Sequence, residues 1–515
     1  MRNAHLMDNF HYRYDRWMGY PSEGVSSIVV VDRQLDAPLH RQVYESYRAA
    51  ILCGKLRPGQ VVPSSREFAV DHGISRFPVL HAYAQLLAEG YFESRSGSGT
   101  YIASTLPERM MKAAPDVPRT QRATGGSRTV SRRCKLFPAV TLNRSTAIWG
   151  AFGVHQPAFD QFPFRIWSAL VNRHSRNPRA RVIHDIDPMG SDRFREAICD
   201  YLGSSRAVQC KPEQIMIVSG SQQALDITAR VLLDSGDSVW VEEPGYRLGL
   251  TVFAAAGCRL VPVPVDNEGL NVAKGIALKK NARAALVTPS HQYPLGSTMS
   301  ATRRLQLLNW AHACGSWIIE DDYDSEFRYE SGPISSLQGM DANERVIYIG
   351  TFSKVLFPSV RIGYVVIPRD LIERFAAVRF AMDIFPPYLH QEVLADFMLE
   401  GHFGAHLRKM RQVYSGRRSA LVDCIQREFN GRLQIHGAEA GMHVAITLPD
   451  GYSDTEIAER AANDRLSLYT LSKYCLRTQA LQGFVLGFGS TPVEKMAGAV
   501  RKLHTAIDPP RKAQA

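Results

Sequence analysis

Residues 346–367 read VIYIGTFSKVLFPSVRIGYVVI, two apolar runs rich in β-branched residues with a polar segment between them. Runs of this length and composition predict buried strands. The hydroxyls of Thr351 and Ser353 follow the first run, with Lys354 next and Arg361 seven residues later. A lone lysine is normally a solvated surface residue. Two hydroxyls, a lysine and an arginine at one strand end instead suit an anion together with an imine-forming amine.

Further apolar runs continue this pattern through the large C-terminal part of the chain. They are IMIVSG, SVWVEE, RLVPVPV, AALVTP and SWIIEDD, and amphipathic stretches separate them. Strands without inward–outward alternation, separated by helices, predict a mainly parallel sheet that is covered on both faces. In α/β domains of this kind, ligands bind at the carboxyl ends of the strands, and polar residues follow the runs there.

Two of these strand ends carry residues with a chemical use. Ser221 and Gln222 follow IMIVSG at the start of a helical segment, where free backbone amides can bind a phosphate. Many strand-to-helix turns contain Gly and Ser, so this signal alone is weak. Asp321 and Tyr323 follow WIIE. A carboxylate at a buried strand end needs a partner, and a protonated ring nitrogen would provide one.

Residues 38–103 have the pattern of three helices followed by a hairpin. In the second helix Ser64 and Glu67 predict a capping box. Ser75 is expected to cap a third helix near residues 76–89. The core face of that helix is predicted to comprise Val79, Tyr83, Leu86 and Leu87. The stretch YFESRSGSGTYI then predicts two short strands. This order is typical of DNA-binding winged helices, in which the third helix enters the major groove, although a small helical bundle fits the spacing equally well.

The overall composition is that of a multi-domain globular protein, with 515 residues, a formal net charge of +11 and 45% hydrophobic residues. No apolar run reaches about 18 residues and the N-terminus has no apolar segment, so neither a membrane span nor a secretory signal is expected. Eight cysteines stand singly. Their spacing suggests no zinc site and no disulfide framework and fits reduced thiols in a cytoplasm.

The charge is concentrated in residues 104–135, which hold eight basic and two acidic side chains, a balance of +6. This stretch is also rich in Pro, Ser, Thr and Gly, which predicts a flexible linker. It is either a solvated tether or a DNA contact in which Arg128, Arg132 and Arg133 touch phosphates. The expected organisation is an extension without assigned function (1–36), a DNA-binding domain (37–103), a basic linker (104–140) and a large domain (141–515).

The sequences PLHRQVYESYRAAILCGKLRPGQVVPSSREFAVDHGISR and LLAEGYFESRSGSGTYI resemble the winged-helix domain of the GntR family of transcriptional regulators. The resemblance implies that the Ser-Ser-Arg-Glu helix and the helix after Ile-Ser-Arg contact double-stranded operator DNA. The implied DNA-binding residues are Ser65, Arg66, Ser75, Arg76 and Gly97. The segment from Phe77 to His81 departs from the polar and basic residues usual in relatives, so fewer donors reach base edges.

The stretches HDIDPMGSDRFREAICDYLG, VEEPGY, TPSHQYPLGSTMS, IIEDDYDSEFRY and GTFSKVLFPSVRIGYVVIP resemble, in this order, the large domain of MocR/GabR-type regulators. That subfamily joins a GntR winged helix to a fold-type-I aminotransferase-like domain. The implied fold class is therefore α/β, with an N-terminal winged helix-turn-helix, a linker and a mainly parallel sheet that binds pyridoxal 5'-phosphate (PLP).

The resemblance also implies a role for individual residues. Lys354 would form the Schiff base with PLP, and Asp321 would keep the pyridine nitrogen protonated. Tyr323 would bond the phenolic oxygen of PLP, and Tyr246 would stack on its ring. The implied phosphate contacts are Ser221, Gln222, Ser353, Arg361 and Thr351.

Departures from the aminotransferase pattern concern the substrate side of the site. The Asn-Pro-x-Gly segment appears as YPLG at 293–296, which leaves His291 or Gln292 to replace the asparagine. The last strand, GFVLGFG, lacks the arginine that binds a substrate carboxylate in aminotransferases. Arg477 and Arg247 are the remaining candidates for an effector carboxylate.

Three functions are compatible with these residues. The first is a regulator whose large domain senses PLP, an amine or an amino acid. The second is an active aminotransferase with an accessory DNA-binding domain, which the missing asparagine and the missing carboxylate-binding arginine oppose; at most slow or half transamination is expected of the large domain. The third is a regulator whose large domain has lost the cofactor. Fusion to a DNA-binding domain favours the first, and the presence of Lys354, Asp321 and Arg361 opposes the third. The resemblance also implies a homodimer, domain-swapped head to tail.

Overall fold

The computed structural model describes residues 28–33, 35–95, 99–106, 129–137, 150–176, 187–330, 332, 334–476 and 481–508. The chain divides into two compact units, residues 1–128 and 129–515, each with its own hydrophobic core. Among the described residues, no helix combines the length and apolarity that crossing a bilayer requires. Three residues with a predicted contact, Gly97, Arg128 and Arg477, lie outside the described residues.

Among its described residues, the first unit has three complete helices and a three-stranded antiparallel sheet. Its elements are α1 (Leu39–Leu52), β1 (Val61–Val62), α2 (Ser65–Asp71), α3 (Arg76–Ala88), β2 (Phe92–Arg95) and β3 (Gly99–Ile102). The order of the sheet is β1-β3-β2, so the predicted hairpin of β2 and β3 is confirmed. β1 was not predicted, because two residues are too few to show a strand period.

Local details of the helices agree with the sequence in part. The capping box of α2 is present, with the Glu67 amide donating to Ser64 Oγ (3.2 Å) and the Ser64 amide donating to Glu67 (3.3 Å). Ser75 occupies the N-cap position of α3, but its side chain makes no capping hydrogen bond, so that predicted bond is wrong. Leu87 is 37% exposed and does not join the core. It follows Leu86 by about 100° around the helix, and only Leu86 faces inward.

Four aromatic side chains form the centre of the first core. Tyr47 of α1 packs against Phe68 of α2, Tyr83 of α3 and Phe92 of β2, with ring centroids 5.3–5.6 Å apart. The Tyr47 and Tyr83 hydroxyls are hydrogen-bonded at 3.0 Å. Because this cluster joins every layer of the unit, it fixes the orientation of α3, whose opposite face is left to solvent.

The second unit is built on an eight-stranded sheet in the order β4-β11-β10-β9-β8-β5-β6-β7. Its strands are β4 (Ile215–Val218), β5 (Ser238–Glu243), β6 (Arg259–Asp266), β7 (Gly269–Leu270), β8 (Ala284–Val287), β9 (Trp317–Asp322), β10 (Val346–Thr351) and β11 (Gly363–Val366). Only the pairings of β11 and of β7 are antiparallel. The predicted mainly parallel sheet is confirmed, together with its seven predicted strands.

Helices cover both faces of this sheet. They are α4 (Phe164–Arg176), α5 (Asp192–Arg206), α6 (Ser221–Leu232), α7 (Arg247–Ala255), α8 (Val272–Lys279), α9 (Ala301–Cys314), α10 (Leu337–Met340), α11 (Ile372–Asp383), α12 (Leu389–Leu399) and α13 (His402–Phe429). In β10, Ile347 and Ile349 pack into one apolar cluster and Tyr348 into another, as alternation across a buried strand requires. A short 3-10 helix, Arg133–Leu136, lies beside α7 within the segment predicted as linker.

A second, antiparallel sheet completes the large unit in the order β12-β13-β15-β14. Its strands are β12 (Gln434–His436), β13 (His443–Thr447), β14 (Tyr469–Thr470) and β15 (Gly483–Gly487), with the helices α14 (Asp454–Arg460) and α15 (Val493–Ile507). α15 packs along α13. Of this sheet, the sequence analysis identified only the strand GFVLGFG, which is β15.

Candidate functional site

One cavity of about 160 Å³ gathers all nine residues predicted to hold the cofactor. They are Lys354, Asp321, Tyr323, Tyr246, Ser221, Gln222, Ser353, Thr351 and Arg361. The sheet explains the convergence. In the parallel pair β9–β10, Ile349 lies opposite Asp321. In β11, Gly363 pairs with Thr351 on one side and with Val218 of β4 on the other. The carboxyl ends of β4, β9 and β10 therefore meet at one edge.

One end of the cavity is suited to an anion. α6 begins there at Ser221, directly after Gly220, whose φ of +115° is a conformation that only glycine adopts easily. A Cβ at Gly220 would lie 3.6 Å from the Arg361 guanidinium, so that cation lies beside the first turn of α6. Free amides at a helix N-terminus and an adjacent arginine form a phosphate-binding arrangement.

Two consecutive aspartates of β9 have opposite environments, because successive side chains of a strand point to opposite faces. Asp322 is ion-paired with Arg206 (Nε to Oδ2, 2.9 Å). Asp321 lines the cavity, and its buried Oδ1 has no hydrogen-bond partner among the described residues. Burial, with a smaller contribution from the Asp322 charge, raises the pKa of Asp321 to about 7. The carboxylate therefore needs a cationic or donor partner in order to stay ionised at neutral pH.

Lys354 lies in the same cavity, surrounded by protein atoms but open on the cavity side. Its pKa is lowered to about 8, chiefly by burial and to a lesser extent by the Arg361 charge, while the Asp324 and Asp321 carboxylates partly oppose this effect. A neutral amine fraction near pH 7 is what nucleophilic attack on a carbonyl requires. Lys354 thus has the protonation behaviour of a reactive lysine.

Aromatic side chains form a wall of the cavity. The Tyr246 hydroxyl accepts a hydrogen bond from Gln222 Nε2 at 3.0 Å. Burial raises the pKa of Tyr246 to about 12, so the ring stays neutral. Tyr293 meets Tyr246 edge to face, with centroids 5.9 Å apart, and its hydroxyl pairs with that of Tyr474 at 2.8 Å. These contacts hold Tyr246 in a fixed orientation.

Tyr323 is connected to a buried polar network behind the cavity. Its hydroxyl donates to the His291 carbonyl at 2.9 Å, and the His291 Nδ1 lies 3.1 Å from both Asp324 oxygens. His443 is close by, and its Nε2 is 3.2 Å from the Pro294 carbonyl oxygen. The side-chain ligand atoms of His291, Asp324 and His443 lie within 4.8 Å of one another. The observed contacts of this cluster are hydrogen bonds within the protein.

Several cavity residues were not identified from the sequence. They are His155, Gly220, Leu248, Thr288 and Tyr293. Thr288 directly follows β8 and could have been found by the strand-end rule that identified Asp321 and Thr351. His155 comes from a loop far away in sequence, with a φ of +68°, and no local pattern marks it.

The residues proposed to replace the missing asparagine do not line the cavity. His291 faces Asp324, and the Gln292 amide donates to the Pro244 carbonyl at 2.9 Å. The candidate effector residue Arg247 is exposed and also lies outside the cavity lining, whereas its neighbour Leu248 is part of it.

In the first unit, the predicted DNA-binding side chains lie where α2 and α3 begin. Arg66, Ser75 and Arg76 are exposed and Ser65 is half-buried. Arg76 Nε donates to Ser65 Oγ at 3.1 Å, which joins the two helix starts. This part of the surface therefore presents two arginines beside the N-terminus of α3.

Comparison with known families gives two matches. Residues 39–102 match the family described as bacterial regulatory proteins, gntR family. Residues 156–483 match the family described as aminotransferase class I and II. Together they include all described residues predicted for the DNA surface and for the cofactor cavity.

Two relatives match this chain over nearly its whole length, across both of these regions. The chain is 39% identical to a probable rhizopine catabolism regulatory protein, MocR, of Rhizobium meliloti, over 93% of this chain and 96% of that protein. It is 31% identical to the pyridoxine biosynthesis transcriptional regulator PdxR of Corynebacterium glutamicum, over 90% of this chain and 95% of that one. Among solved structures, the Pyrococcus horikoshii kynurenine aminotransferase superposes with a TM-score of 0.68 at 26% identity, covering 73% of this chain and 96% of that chain.

Proposed function

The chain belongs to the MocR/GabR-type subfamily of GntR transcriptional regulators, and we propose that its large domain senses PLP or an amino compound and thereby changes operator binding by the winged helix. It is a DNA-binding transcriptional regulator with PLP as its cofactor. The observation that carries the sensing proposal is the cavity, in which a reactive lysine and an unpartnered carboxylate oxygen face the same space.

The cavity residues fit the polar groups of PLP. Lys354 would supply the amine for its aldehyde, and Asp321, whose Oδ1 has no hydrogen-bond partner among the described residues, would accept a hydrogen bond from its ring nitrogen. Arg361 and the start of α6 at Ser221 would hold the phosphate. When bound, PLP acts as an electron sink for an amine joined to it.

The remaining cavity residues would position the cofactor. Tyr246 would stack on its ring, and Gln222 would hold the Tyr246 hydroxyl as well as approach the phosphate. Ser353 and Thr351 would provide hydroxyls at the phosphate end. The Tyr323 hydroxyl donates its proton to the His291 carbonyl oxygen, so it would have to turn this proton toward the cofactor in order to bond the phenolic oxygen of PLP.

The effector is proposed to be an amine or amino acid. Lys354 sets this class, because an amine can replace the lysine on the aldehyde. Leu248 and Tyr293 give the cavity an apolar side, which suits a small hydrocarbon part of the effector. For an effector carboxylate, Arg477 and the exposed Arg247 remain the proposed partners.

The assembly is proposed to be a homodimer, domain-swapped head to tail, that acts on chromosomal DNA in the cytoplasm. Two winged helices in one dimer would bind two half-sites. Sensing would follow if the effector binds one arrangement of the two domains more tightly than another, because differential affinity shifts their populations. The prediction that Arg132 and Arg133 contact phosphates belongs to the same proposal; both side chains are exposed.

The test measures cofactor attachment and DNA binding on the same full-length protein. Added PLP should produce a visible absorption band, and borohydride should fix a mass increase on the Lys354 peptide. Lys354→Ala should lose both while keeping DNA affinity, and the surface variant Lys274→Ala should behave as wild type. Amines should then change the DNA affinity of wild type and leave that of Lys354→Ala unchanged.

Two results would contradict the proposal. If PLP and a panel of amines and amino acids leave wild-type DNA affinity unchanged, the large domain does not sense them. If an amino donor yields keto acid at about 1 per second or faster over many turnovers, the chain is an aminotransferase with an accessory domain. All nine residues predicted to hold the cofactor line the cavity, which makes this second outcome worth measuring.

A further inference from the structure

The outward face of α3 begins with apolar residues where a DNA-reading helix usually carries hydrogen-bond donors. Phe77 is 77% exposed and Leu80, one turn later, is 44% exposed. His81 and Ala84 continue the same face and are also exposed, because residues three, four and seven positions apart share one side of a helix. Folding leaves this phenylalanine in water, so its packing in the first unit does not account for it.

The location of Phe77 indicates which partner this face meets. It is the second residue of α3, next to Arg76, which Ser65 holds by a hydrogen bond of 3.1 Å. Arg66 and Arg76 are both exposed at this end of the unit, and their positive charges complement the negative charge of a phosphate backbone. In helix-turn-helix proteins the N-terminal residues of the recognition helix contact base edges in the major groove. In that arrangement Phe77 would face the bases, and the two arginines would approach the DNA backbone.

A phenylalanine has no donor for a base edge, but one chemical feature of the major groove suits it. Thymine presents a 5-methyl group there, and apolar side chains distinguish thymine from the other bases by contacting that methyl. We infer that Phe77, supported by Leu80, reads one or more thymine methyl groups in the operator. This inference rests on the proposed operator binding and adds the element that gives it sequence preference.

The inference predicts a specific dependence on one methyl group. Burying one methylene contributes ~0.8 kcal/mol, so loss of a contacted methyl should weaken binding about fourfold. Loss of the whole phenyl ring should weaken binding about tenfold or more, since burial of a Phe side chain contributes ~1.5–3 kcal/mol. Phe77→Ala should fold normally because the ring is exposed.

The experiment uses the full-length protein and a duplex that wild type selects from a random library. Each thymine of that duplex is replaced in turn by deoxyuridine, which lacks only the 5-methyl group. Wild type should lose about fourfold in affinity at one or more positions. Phe77→Ala should bind the thymine duplex more weakly and should be insensitive to deoxyuridine at those same positions. Phe77→Leu should keep part of the sensitivity, and Leu52→Ala, exposed on α1, should match wild type.

Three outcomes would contradict the inference, and each has a different meaning. If wild type is indifferent to deoxyuridine at every position, no thymine methyl is read. If Phe77→Ala keeps the full deoxyuridine penalty, that penalty comes from DNA shape or from another residue. If selection enriches no sequence, operator recognition itself fails, which separates failure of the proposed function from failure of the Phe77 contact alone.

Discussion

The protonation of Lys354 sets how fast the chain attaches PLP, because only a neutral amine attacks an aldehyde. Burial lowers the pKa of Lys354 from 10.5 to about 8. At pH 7 about one amine in ten is then neutral, compared with about one in 3000 for a lysine with the ordinary pKa. We therefore expect the attachment rate to rise about tenfold per pH unit below pH 8 and to level off above it.

Stopped-flow absorbance of cofactor-free protein mixed with PLP, between about pH 6 and pH 10, measures this profile. The Asp324 carboxylate raises the pKa of Lys354, so Asp324→Asn should move the plateau to lower pH. Lys274→Ala should leave the profile unchanged. A rate that keeps rising tenfold per unit to about pH 10 would refute the reasoning, because the attacking amine would then have the pKa of a solvated lysine.

Three further predictions address the cofactor, the DNA surface and the winged-helix core. Asp321→Asn should weaken PLP binding about 5- to 30-fold in absorbance titrations, because a charge-assisted hydrogen bond becomes a neutral one, and unchanged affinity would remove Asp321 from the ring nitrogen. Arg76→Ala should lower DNA affinity and reduce the slope of log affinity against log salt by about 0.9, while the α1 variant Arg41→Ala should keep the wild-type slope. If Arg76→Ala also keeps the wild-type slope, Arg76 does not contact a phosphate. Ser64→Ala should destabilise α2 by ~1 kcal/mol through loss of its cap, seen as faster hydrogen exchange of the α2 amides, and unaltered exchange would contradict the capping box.

The order of elements could be predicted because each depends on residues close together in the chain. Ile215–Val218 is apolar throughout, and Trp317–Asp322 and Val346–Thr351 begin with apolar, largely β-branched residues, as is typical of strands buried on both faces. The capping box of Ser64 and Glu67 spans only three residues. Prediction failed where the local pattern was too short or did not distinguish two residues. β1 has only two residues, and the sequence could not show which of Leu86 and Leu87 is buried, because this depends on how α3 is rotated.

The candidate site could be predicted in part because parallel strands bring their carboxyl ends to one edge. That rule identified Asp321 and Thr351, and the resemblance to a family added roles for the residues around them. It did not identify His155, whose loop reaches the cavity only through long-range packing. It also did not show that His291 faces Asp324 and lies outside the lining of the cavity.

The sequence by itself determined the two domain types, seven strands of the large sheet and the chemistry available at their ends, because residue types and short-range patterns contain that information. Only the tertiary structure decided which charges stay unpaired. Asp321 and Asp322 are adjacent and chemically identical, and each has a buried Oδ1 without a hydrogen-bond partner among the described residues. Arg206 nevertheless neutralises Asp322, whereas Asp321 lines the cavity. Packing within the large unit lowers the pKa of Lys354, and packing within the first unit leaves Phe77 in water. Burial and pairing depend on residues far apart in the chain, which is why no local pattern could assign them.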